Sequence, residues 1–165
     1  MTDATFEEGA ERPLSLGAET AEDLAVISAL VQDAVLPITE IRYDRRRREL
    51  ALLVNRFRWE DRAAAEARGR AFERVRAVLL LRGVLAVQSQ GIDRGERDTV
   101  LSILSLGWEP GADGGGRLLV TLAGDGAIAA TAECLDVTLK DVTRPYAAPS
   151  RKAPAAPSAL PRISA

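Results

Sequence analysis

Histidine is absent from all 165 residues, and cysteine occurs once, at Cys134. The first absence excludes Ser-His-Asp and Cys-His chemistry. It also removes the commonest transition-metal ligand and the only side chain that ordinarily titrates near neutrality. The second excludes an internal disulfide, and no disulfide-linked partner is expected. Aromatic residues make up only 4% of the chain. No apolar run approaches the roughly 20 residues of a membrane helix, and the acidic first residues carry neither the basic nor the apolar part of an export signal. These absences predict a cytoplasmic protein, not an enzyme, that spans no membrane and holds no cofactor or metal.

What is present is ordinary globular material. Apolar residues contribute 47% and charged residues 28%, enough to bury one core without staples. Basic and acidic residues nearly balance, at 22 and 24, so no net field recruits nucleic acid and such binding is not expected. Their distribution is uneven. Between residues 42 and 82 stand thirteen arginines and six acids, a net of +7, which leaves 22 − 13 = 9 basic and 24 − 6 = 18 acidic residues elsewhere, a net of −9.

Residues 1–13 lack periodicity, and residues 147–165 are rich in Ala, Pro and Ser. Both are expected to be disordered around a single domain at 14–146. Within it, Thr20 is suited to cap a helix over 22–36, with Leu24, Ile27, Leu30, Val31, Ala34 and Val35 on one face and Pro37 as the stop. From Ile38 the period falls to two. Strands are expected at 38–43 and 50–59, joined by a charged turn, and over 75–92 with a turn or a bulge at Arg82-Gly83. Further strands are expected at 99–108, 117–123 and 127–132. Residues 60–73 fit either a solvated helix or a loop, and 133–142 either a strand or a terminal helix. The expectation is an α+β fold, with an N-terminal amphipathic helix packed on an antiparallel sheet or partly open barrel of about seven strands.

No arrangement of residue types specifies a reaction. The glycine-rich stretches at 111–116 and 124–126 lack the Lys-Ser/Thr ending and following helix of a phosphate loop. The loop acids Asp93, Glu96 and Asp98 have no metal-ligand spacing. Cys134, in an apolar alternating stretch, is expected to be a buried structural thiol. The most distinctive string is 55–60, where Asn55, Arg56, Arg58 and Trp59, together with Arg42, form a candidate recognition surface for an acidic protein partner. The same string also fits ordinary strand packing with a solvated arginine face. Arg45 to Arg48 fit either a solvated turn or an anion contact. A rival arrangement is a ligand-binding or enzymatic barrel with Tyr43, Asn55 and Arg74 among its pocket residues; a third is RNA association through the arginine segment.

The strings E-D-L-A-V-I-S-A-L-V-Q-D-A-V (22–35), I-R-Y (41–43), V-N-R-F-R-W-E (54–60), V-L-A-V-Q-S-Q-G-I (84–92) and A-E-C-L-D-V-T-L-K-D-V (132–142) resemble an uncharacterised proteobacterial family, the domain of unknown function family 2948. The likeness spans most of 16–146. It implies a small cytoplasmic protein and supplies no activity, cofactor or catalytic residue. Together the observations favour a binding or regulatory module that acts through its surface.

Overall fold

The computed structural model describes residues 13–148, 153 and 154. The disorder expected of 1–13 and 147–165 falls almost wholly outside them. Eleven strands form one antiparallel sheet: β1 (Ser15–Ala18), β2 (Val35–Pro37), β3 (Ile41–Asp44), β4 (Glu49–Phe57), β5 (Glu73–Arg82), β6 (Val84–Gln90), β7 (Val100–Pro110), β8 (Gly116–Leu122), β9 (Ala127–Ala132), β10 (Val137–Asp141) and β11 (Tyr146–Ala147). Two short helices accompany them, α1 (Ala21–Leu30) and α2 (Arg62–Ala67). The strand order is β1-β10-β5-β4-β2-β7-β8-β9-β6, with β3 also on β4 and β11 also on β5.

The α+β expectation is therefore overturned: the chain is mostly β, with eleven strands where about seven were expected and no long N-terminal amphipathic helix. Thr20 does cap α1, its hydroxyl accepting the Asp23 N–H at 3.2 Å. The helix then stops at Leu30, because Asp33 adopts a left-handed φ of 62° and Val35 enters β2 between β4 and β7. Val31 and Ala34 are buried, but from the turn rather than from a helical stripe. The three strands without a counterpart in the sequence reading, β1, β2 and β11, are two to four residues long, too short for period-two alternation to show.

The longer strands follow their alternation. Leu50, Leu52 and Val54 of β4 lie opposite Leu81, Leu79 and Ala77 of β5, and all six are buried. Leu118 and Val120 of β8 oppose Ala130 and Ile128 of β9 across the Gly124-Asp125-Gly126 turn. These side chains, with Leu24 and Ile27 of α1, form one apolar cluster. Arg82-Gly83 is a turn between β5 and β6, with Gly83 at φ 72°. Residues 59–67 form a single 3-10 turn followed by α2, and 137–141 are strand.

Two local features correct or sharpen the sequence picture. Cys134 is exposed, not buried, because it sits in the bend between β9 and β10, where the alternation breaks and Leu135 takes the inward position. One thiol per chain should accordingly react with Ellman's reagent in the folded protein; reaction only after denaturation would contradict that placement. Gly116 lies against Trp108, so that a Cβ added there would come 2.7 Å from the indole Cζ2 and still closer to the Glu109 carbonyl oxygen. Gly116→Ala should cost about 1–3 kcal/mol through overpacking, read as a lowered melting temperature.

Candidate functional site

Strand β3 pairs only with β4, and β6 only with β9, so among the described residues each leaves one edge unpaired. A groove of about 1030 Å³ lies between them. Its floor is apolar, including Ile41, Leu50, Val84, Val87 and Ile128, of which Leu50, Val84 and Ile128 belong to the buried core. A register shift beside Leu85 of β6 accompanies a side chain that is 49% exposed at the groove wall. The two walls of the groove are tied together. The Tyr43 hydroxyl donates to the Val84 carbonyl at 2.9 Å, and the Val84 N–H donates to the Arg48 carbonyl at 2.8 Å.

Four arginines line the groove, Arg45 and Arg48 from the β3–β4 turn and Arg94 and Arg97 from the β6–β7 loop. Arg48 pairs with Glu133 at 2.6 Å, and Arg94 donates to the Ser89 hydroxyl at 3.3 Å. The side chains of Arg45 and Arg97 make no hydrogen bond or ion pair among the described residues. No carboxylate lines the groove; Asp93, Glu96 and Asp98 share the loop but stand outside the lining, and Asp93 accepts the Gly95 N–H at 2.8 Å. An apolar floor and a cationic rim in which Arg45 and Arg97 have no counter-charge among the described residues suit an anion that carries an apolar portion.

The string at 55–60 serves the interior instead. Arg56 continues the inward phase of Leu50, Leu52 and Val54 and is completely buried, which corrects its assignment to a recognition surface. Its donors are all engaged. Nε and Nη2 donate to the two Asp141 oxygens at 3.0 and 2.9 Å, Nη1 and Nη2 to the two Glu60 oxygens at 2.9 and 2.7 Å, and Nη1 also to the Phe57 carbonyl at 3.4 Å. Burial alone would lower the Arg56 pKa, but its hydrogen bonds to Glu60 and Asp141 outweigh it and the guanidinium is held more firmly charged than usual. Arg58 pairs with Glu73 at 2.8 Å and has an 11% exposed side chain. The Trp59 indole N–H donates to the Gln32 carbonyl at 3.1 Å, and its ring meets Phe57 edge-on at 4.8 Å. Asn55 donates to the Tyr146 hydroxyl and accepts from Arg74 at 3.3 Å. Arg42 is exposed on β3.

The structure thus joins Asn55 to Arg74 but places Tyr43 in the groove, apart from both. A second, more polar cleft of about 1180 Å³ is lined by Arg58, Asp61, Arg70 and Glu73, whose charges already pair with one another. The groove arginines 94 and 97 were missed in the sequence. Its only signal was four arginines in the β3–β4 turn, and nothing local says that the β6–β7 loop meets them.

The Arg56 and Arg70 clusters set a pH dependence. Burial would raise the Glu60 pKa, but the Arg56 hydrogen bond and charge lower it below its ordinary 4.5. The Arg70 hydrogen bond holds Asp61 below 3.8, against a smaller opposing effect of burial. A depressed carboxylate stabilises the fold above its unfolded-state pKa and loses that contribution as pH falls through the folded value. Melting temperature should therefore hold above about pH 5 and decline as pH falls below 4.5, less steeply in Glu60→Gln. An equally steep decline in that variant would assign the acid sensitivity elsewhere.

Among the described residues, no helix is long and apolar enough to cross a membrane, and no group of three or more Cys, Asp or Glu side chains could hold a metal ion. The family described as Protein of unknown function (DUF2948) matches residues 14–156. No curated protein and no solved structure matches the chain.

Proposed function

Because the chain belongs to the DUF2948 family, whose description carries no activity, we propose from the site alone that it is a non-catalytic cytoplasmic binding module, and that it acts through the arginine-rimmed groove between β3 and β6. The observation that carries this reading is the pairing of an apolar floor with Arg45 and Arg97, two cations that nothing among the described residues neutralises. Elsewhere in the basic segment Arg47, Arg56, Arg58, Arg62, Arg70 and Arg82 pair with carboxylates, and the exposed Arg42, Arg46, Arg68 and Arg76 lie outside the groove. What the groove adds is open positive charge beside an apolar floor, which suits an anionic partner with an apolar portion. The exposed, unpaired Cys134 suits a reducing compartment, where such a thiol persists.

The test compares wild type with Arg45→Glu/Arg97→Glu as baits in lysate, identifying recovered proteins and small molecules by mass spectrometry. Because these side chains bond to nothing in the described fold, melting should change by no more than about 0.5 kcal/mol, while groove-dependent capture is lost. Identical recovery by both baits would refute the reading.

A further inference from the structure

We infer that the occupant of the groove is a single-chain amphipathic anion, an unbranched acyl carboxylate whose tail lies on the apolar floor and whose head meets the arginine rim. This inference rests on the groove reading above and deepens it to a ligand class. Three observations favour such a ligand over a polypeptide strand. First, the backbone of β6 beside the groove is already engaged at Val84, whose carbonyl accepts the Tyr43 hydroxyl at 2.9 Å and whose N–H donates to the Arg48 carbonyl at 2.8 Å. An added strand needs such groups free for main-chain hydrogen bonds; an acyl chain needs none.

Second, the accessible lining is largely apolar, with Ile38, Ile41, Leu85, Val87 and Ile92 partly exposed above the buried Leu50 and Val84. That lining suits methylenes, which require no hydrogen-bond partners, and offers few partners to peptide groups. Third, the charge is of one sign and comes from two separate turns, so a carboxylate at the mouth meets Arg45 from one side and Arg97 from the other without facing a carboxylate of the lining. The volume, about 1030 Å³, stands at the upper end of the range for small-molecule pockets and accommodates an extended chain.

The full chain is titrated calorimetrically with dodecanoate below its self-association concentration, beside octanoate, acetate and dodecyltrimethylammonium. Dodecanoate should bind saturably, with one molecule per chain. Octanoate, four methylenes shorter, should bind on the order of a hundredfold more weakly. Acetate and the cationic amphiphile should give no saturable heat. Arg45→Glu/Arg97→Glu, shown by its melting curve to be folded, should bind dodecanoate about tenfold more weakly or worse. The inference is overturned by absence of saturable dodecanoate binding, by equal binding of the ammonium amphiphile, or by an unchanged affinity of the folded double variant. If dodecanoate fails while lysate capture still depends on Arg45 and Arg97, for instance by recovering an acidic polypeptide, the groove function stands and the acyl ligand is excluded.

Discussion

Arg56→Leu should remove a large share of the folding stability. The substitution strands the Asp141 carboxylate, whose side chain is 5% exposed, and takes two hydrogen bonds from Glu60. Removing one partner of a buried ion pair costs about 3–5 kcal/mol, since the remaining charge has lost both water and its counter-ion. A domain of this size has about 5–15 kcal/mol in total. The pair itself need not be strongly stabilising, because the cost of dehydrating both groups opposes their attraction. Arg56→Leu/Asp141→Leu should consequently recover much of the loss, with Glu60 free to turn toward solvent from a side chain already 31% exposed. Urea denaturation of the two variants decides the matter: a single variant within about 1 kcal/mol of wild type would show that the network is dispensable.

Ile27→Asp should be comparably damaging. Ile27 is 1% exposed and faces the central cluster, where a carboxylate finds no partner and either remains charged without water or takes up a proton. The expected cost is about 4–5 kcal/mol, against about 1 kcal/mol for Ile27→Val at the same position. Although α1 is short, it is tied into the sheet by more than apolar contact: the Leu106 N–H of β7 donates to the Ser28 hydroxyl at 2.9 Å. A thermal transition for Ile27→Asp within a few degrees of wild type would make the helix peripheral.

Legibility followed element length and distance along the chain. The β4, β5, β7, β8 and β9 strands could be read from alternation because each has at least six residues over which a period of two repeats. β2 could not, since Val35–Pro37 acquires its identity from β4 and β7 rather than from its own pattern, and the same apolar residues fit a continuing helix. Arg56 misled for a different reason. A charged residue within a strand ordinarily faces water, and the two carboxylates that reverse this lie at Glu60, beyond the strand, and at Asp141, in a remote one. The strand phase did contain the warning, as Arg56 stands two residues after Val54 on the inward face. The groove was the least legible part, because Arg45 and Arg97 become neighbours of one cavity only after β6 and β7 have passed across the sheet.

The pairing of β1 with β10 governs when the protein can fold. Ser15 meets Lys140, so nearly the whole described chain must be made before that pair of strands can close. Folding can begin in the local β8–β9 hairpin and in β4–β5, but the terminal pairing requires the costliest loop closure among the described strands. On a translating ribosome β5 would wait for β10 with an unpaired edge, and the nascent chain would be most vulnerable to mispairing during the synthesis of β6 through β9.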